Sequence, residues 1–221
     1  MTNRENASGK LTLVRIIGTI HADDESVPGY SRRLHELIFH FRPEIICAEL
    51  SPEQCDGTST INSKPEYSSA ILPAAAACGA RVIPIQPAEE AAAPIIQKRS
   101  EAASQIESDP ACSAQWKMWE TLESNQIRGL LKLAASDSGF GFLQQFDLDT
   151  FYFEPLYDTV AGLLPSCNEV WLAWNQYMAD RILEAVSAWT PARVIVTAGL
   201  AHRHILRRLL SSATHFEMSS L

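Results

Sequence analysis

The sequence lacks every short motif that would fix a chemistry at once. It has no P-loop, no G-x-G-x-x-G, no H-E-x-x-H and no G-x-S-x-G. That excludes the common phosphate cradle, the dinucleotide fingerprint, the helix-borne zinc pair and the serine elbow. No apolar stretch reaches the ~18 residues a membrane helix needs. The best candidate, Ile71 to Ile85, is broken by Pro73, Arg81 and Pro84. The polar leader, residues 1–10, carries no apolar run, so a secretion signal is not expected. The five cysteines contain no C-x-x-C pair, which fits reduced thiols better than a disulfide framework. Basic residues are few, 18 against 26 acidic, for a net charge of −8. Such a balance argues against nucleic acid and anionic membrane as partners. A soluble, cytoplasmic protein is the expectation. The group Arg203/Arg207/Arg208 reads as the solvated face of a helix.

What is present is enough apolar material for a full core, 46% of 221 residues, in one domain spanning 1–221. Apolar runs at Leu11–Ile17, Glu44–Leu50, Arg81–Gln86 and Ala192–Ala198 predict strands, with Pro84 marking an edge or end position in the third. Between them lie helical patterns. Leu34, Leu37, Ile38 and Phe41 share one face, and Pro43 ends that helix. Residues 55–64 read as an exposed loop, and Tyr67 to Cys78 as a helix stopped by Gly79. Asp109-Pro110 forms an N-cap and first-turn pair, and Ser166 to Glu169 a capping box opening a long helix that stops at Thr190-Pro191. The alternation predicts an α/β fold with a central, largely parallel sheet flanked by helices. A mainly helical insertion, about residues 87–165, covers one end as a lid.

Ile-Ile-Gly18-Thr-Ile-His21 and Thr-Ala-Gly199-Leu-Ala-His202 are the same device used twice. Each apolar strand ends at a glycine free to take angles other residues avoid, and an imidazole follows three residues later. Ligands of open parallel sheets bind beyond the strand C-termini, so neighbouring strands could bring both rings together there. Glu49 ends the second strand between Ala48 and Leu50, where a lone buried carboxylate would be costly without a partner. Two imidazoles and a carboxylate serve as ligands of a divalent metal or as an acid/base set. His35, His40, His204 and His215 have no such setting, and His204 points away from His202 around the helix.

The run Gly18-Thr-Ile-His21 to Glu25-Ser26, then Pro43-Glu-Ile-Ile-Cys-Ala-Glu49-Leu50, resembles the opening of the TraB/PrgY (pheromone-shutdown) proteins. Gly199-Leu-Ala-His202 resembles that family's closing motif, and Asn175 with Tyr177-Met178-Ala179 its pre-terminal helix. The same pattern is similar to the wider superfamily of GumN proteins, Tiki metalloproteases, erythromycin esterase-like enzymes and ChaN-like haem-binding proteins. The resemblance implies an α/β core with both histidines and Glu49 facing one cavity, and hydrolysis by a bound manganese, cobalt or zinc or by a histidine-activated water. Gln54, Gln86-Pro87 and Ala173-Trp174 stand where that family has arginine-bearing motifs. A different substrate, or a site that no longer binds an anionic group, follows from those departures.

The expected function is therefore that of a metal-dependent peptidase or esterase acting on a peptide or small-molecule substrate. His21, Glu49 and His202 hold the metal or water, Asn175 orients or stabilises an oxyanion, and Glu154 contributes from a lid. The alternative is a non-catalytic protein that sequesters haem, a metal or a peptide in the same cavity.

Overall fold

The computed structural model describes residues 12–59, 61, 63–145, 147–163, 165–189, 192–211 and 216–218. The polar leader, Thr190-Pro191 and His215 lie outside the described residues. In chain order the elements are β1 (Thr12–Thr19), α1 (Tyr30–Phe41), β2 (Ile45–Ala48), α2 (Pro52–Asp56), a π-helical turn (Tyr67–Ile71), α3 (Leu72–Cys78) and β3 (Arg81–Pro84). Then follow α4 (Glu89–Ser108), α5 (Pro110–Ala134), α6 (Asp137–Leu143) and a second π-helical turn (Asp149–Phe153). The chain continues with α7 (Glu154–Leu163), α8 (Pro165–Ala188), β4 (Arg193–Gly199), α9 (Leu200–Leu210) and β5 (Phe216–Met218).

The strands form one all-parallel sheet in the order β3-β2-β4-β1-β5, so the protein is α/β. β3 is an edge strand, which is where Pro84 can sit without breaking a ladder. Alternating side chains give the sheet two apolar faces. Ile17, Ile46 and Ile195 pack with α1, α3 and α6, while Val14, Ile16, Val194 and Val196 pack with α8 and α9. Helix α1 has no side-chain cap and no acid in its first turn. Its buried Leu34 and Ile38 hold it instead, each contributing about 1.5–3 kcal/mol by burial.

This arrangement positions the site. β1 and β4 are neighbours, with Thr19 level with Gly199, yet the helices that follow them cover opposite faces of the sheet. The chain therefore parts in opposite directions above their C-terminal ends, the position at which open parallel sheets bind ligands. Helices α4 to α7 interpose no strand, and the end of this block, Phe140, Leu143, Leu148 and Phe153, packs into the core on the α1 side.

Several local expectations change. The expected loop at 55–64 begins in a helix: α2, opened by a capping box of Ser51 and Gln54, includes Cys55 and Asp56. Helix α8 starts at Pro165, whose fixed φ suits a first turn, so Ser166 lies inside the helix and is not its cap. Arg203 is not solvated: it is fully buried, because α9 runs beneath the second π-helical turn and meets Asp149 there. Among the described residues no helix is long and apolar enough to cross a membrane.

Candidate active site

Gly199 ends β4 and Gly18 stands one residue before the end of β1, but neither has a positive φ; the left-handed residue is His21, at φ 53°. The glycines are required for space instead. A Cβ on Gly18 would lie 2.3 Å from Leu200 Cδ2, and one on Gly199 would lie 3.0 Å from His21 Nε2. Each glycine thus makes room for the other motif. Gln144 holds β1 from above: Gly18 N–H donates to its Oε1 (3.0 Å), and its Nε2 donates to Gly18 O (2.9 Å).

The two imidazoles are oriented by different partners. His21, 41% exposed at the mouth, donates from Nδ1 to Glu66 Oε1 at 2.8 Å. Glu66 is completely buried, and its second oxygen has no protein partner. His202, in the first turn of α9, is 2.9 Å from Asn175 Oδ1 through Nδ1. Asn175 Nδ2 donates to Trp171 O at 2.8 Å, which fixes the amide and so the tautomer: the His202 proton is on Nδ1. Trp171 stacks on that ring at 4.2 Å between centroids. His202 Nε2 is left without a proton and faces Glu49 Oε1 at 3.6 Å.

Glu49 is 3% exposed and surrounded by donors. Gly199 N–H donates to Oε2 at 2.6 Å, Gln86 Nε2 donates to Oε1 at 3.1 Å, and the Lys64 ammonium sits on Oε1 as an ion pair. Burial alone would push the Glu49 carboxyl up; His202, Lys64 and His21 together outweigh it and bring the pKa to about 2. Burial, opposed by Glu49, pushes His202 down to about 4, so the ring is uncharged at neutral pH. The cation in direct contact with the Glu49 carboxylate is Lys64. Tyr67 completes the floor: its hydroxyl accepts from Glu49 N–H (2.9 Å) and donates to Thr197 O (3.2 Å). Burial and the Glu49 charge hold that phenol well above its ordinary pKa, so it remains a donor.

The structure thus brings His21, Glu49, His202 and Asn175 together. Glu154 heads α7, half-buried, with no hydrogen bond or ion pair to the cluster among the described residues. His204 is buried, stacked on Tyr157 and Phe153, and Tyr157 stacks in turn on the Trp171 that covers His202. Of the three positions at which the sequence departs from the motifs it resembles, Gln86 touches Glu49, Gln54 caps α2, and Trp174 packs against the core cluster that α8 builds. Sequence reasoning missed Lys64, Glu66 and Trp171. The first two stand in an irregular stretch without periodicity, and only their charges near a turn could have drawn attention to them.

The donor set does not fit a resident divalent ion as it stands. Both oxygens of Glu49 already accept from N–H groups, one of them a cation. Among the described residues no three His, Cys, Asp or Glu side chains are grouped to hold one. A groove of about 380 Å³ lined by Leu130, Leu133, Phe142 and Tyr152 lies in the helical insertion and includes none of the cluster. Compared with protein-family models, curated proteins and solved structures, the chain matches none.

Proposed function

We propose that the cluster is a hydrolytic centre that activates a water against a carbonyl of an ester or peptide. One observation carries this reading. Two imidazoles have their Nδ1 atoms tied down, by Glu66 and by Asn175, and both Nε2 atoms lie beside Glu49: that of His21 borders the space above Gly199 next to Glu49 Oε2, and that of His202 is 3.6 Å from Glu49 Oε1. A free ring nitrogen backed by a carboxylate is the arrangement of a general base. The resemblance of the two Gly-x-x-His motifs and Glu49 to the TraB/PrgY proteins supports the same reading.

His21 is the base, because Glu66 stabilises the imidazolium it becomes, whereas His202 has only a neutral amide behind it. His202 Nε2 accepts the second hydrogen of the water and turns its lone pair toward the substrate. As the water oxygen bonds to the carbonyl carbon, one proton passes to His21 Nε2 and the π electrons move to the carbonyl oxygen. When the tetrahedral species collapses, the bond to the leaving alcohol or amine breaks and that group takes the proton back from His21. The chain starts and ends in the same protonation state, with one water consumed.

The test compares wild type with His21→Ala, His202→Ala and Glu66→Gln on ester and peptide libraries at pH 7.5. Loss of turnover in all three, with Glu66→Gln reducing kcat roughly 10²-fold or more at little change in KM, supports the base assignment. Restoration by Glu66→Asp separates positioning from folding. Retention of a ligand with no turnover in any variant overturns the hydrolase and supports a sequestering protein.

A further inference from the structure

We infer that Lys64 is the resident cation of this site, seated on the Glu49 oxygen that a divalent metal would need. Three observations carry the inference. The Lys64 ammonium is paired directly with Glu49 Oε1, on a carboxylate that is 3% exposed, while the lysine side chain itself is 26% exposed. A buried ionised carboxylate needs a compensating positive charge, and the Lys64 ammonium is in direct contact with it. Beyond the ammonium, His202 Nε2 lies 3.6 Å from the same oxygen, and His21 Nε2 and Glu49 Oε2 lie 3.0 and 3.6 Å from one point above Gly199. The carboxylate that these two imidazoles border therefore has its positive charge built into the chain. Pro65 follows Lys64 directly, and the π-helical turn that begins two residues further on carries Tyr67 against Glu49, so the lysine is anchored beside its partner.

The consequence is a site that needs no metal. Lys64 keeps Glu49 ionised and turns a remaining N–H toward the oxygen of a bound carbonyl, where negative charge develops as water adds. This last role rests on the hydrolytic reading; the exclusion of metal does not, and it is measured without substrate.

The experiment is calorimetric titration of Mn²⁺, Co²⁺ and Zn²⁺ into chelator-treated full-length chain at pH 7.5, alongside thermal melts. Wild type and Lys64→Arg, which both keep the cation, are expected to take up no ion at Glu49. Lys64→Met frees Oε1 and is expected to melt lower, to bind one Zn²⁺ per chain, and to recover its melting temperature when zinc is added. Lys64→Met/His202→Ala is expected to bind none. A wild-type chain that binds one ion and loses it in His202→Ala overturns the inference. So does a Lys64→Met chain that folds by circular dichroism and takes up no ion. Should Lys64→Met fail to fold alone, refolding with Zn²⁺ decides: recovery supports the inference, and failure to recover overturns it. An ion that wild type retains in His202→Ala is bound elsewhere and counts as no uptake here. Hydrolysis assays on the same proteins report separately on the hydrolytic reading.

Discussion

Asn175 Oδ1 accepts the Nδ1 proton of His202 at 2.9 Å, while the amide nitrogen of Asn175 is committed to the Trp171 carbonyl. Neither group can exchange roles without losing a buried hydrogen bond. The pair therefore fixes His202 as a neutral acceptor at Nε2, facing a carboxylate in direct contact with Lys64.

Replacing this amide by a carboxylate changes the ring's charge state without changing its shape. In Asn175→Asp the imidazolium gains an anionic partner, so the titration midpoint of His202 moves up from about 4 by roughly 1–3 pH units. Proton-detected NMR titration of the histidine rings measures this with no substrate present. A midpoint that stays at the wild-type position would show that Asn175 does not control the ring.

Acid should unfold this protein earlier than its carboxylates alone would predict. The His202 pKa is lowered from 6.5 to about 4 on folding, so between those values the unfolded chain binds a proton that the folded chain refuses. Stability is then complete above pH 6.5 and is lost as pH falls toward 4, by on the order of 3 kcal/mol. Burial also lowers His204 to about 4, which adds in the same direction. Glu49, lowered to about 2, contributes a further loss only below its ordinary value of 4.5. Urea unfolding at pH 7 and pH 4.5 should show the drop, and His202→Gln should flatten it. An unchanged midpoint across that window would rule out a neutral buried His202.

The fold was legible because its signals are periodic. Strand runs at 11–17, 44–50, 81–86 and 192–198 match β1 to β4 closely, and the apolar face of α1 is the buried one. The residues at strand ends were legible for the same reason: Gly18, Gly199 and Glu49 interrupt or close a pattern. Lys64 and Glu66 follow no pattern, because the stretch between α2 and the first π-helical turn has no period to violate. Arg203 was misread for the opposite reason. It shares a helical spacing with Arg207 and Arg208, and its buried partner Asp149 stands 54 residues away with no local sign of the pairing. The role of the glycines was misread too, since backbone freedom and closeness of approach leave the same letter in a sequence.

That distinction yields a pair of substitutions with opposite outcomes. Gly199 has φ −52° and ψ 142°, angles open to alanine, so Gly199→Ala carries no backbone strain. Its methyl would enter the space 3.0 Å from His21 Nε2 and 3.6 Å from Glu49 Oε2, displacing the atoms that must be aligned. Turnover should fall roughly 10²-fold while the melting temperature changes little. In Gly18→Ala the methyl would instead meet Leu200 Cδ2 at 2.3 Å and Cγ at 2.9 Å, inside a packed core. That overpacking should cost about 1–3 kcal/mol of stability and lower the melting temperature. Full turnover in Gly199→Ala would mean that the space above Gly199 is not where the reaction occurs, because the methyl group would take the place of a water held by His21 Nε2.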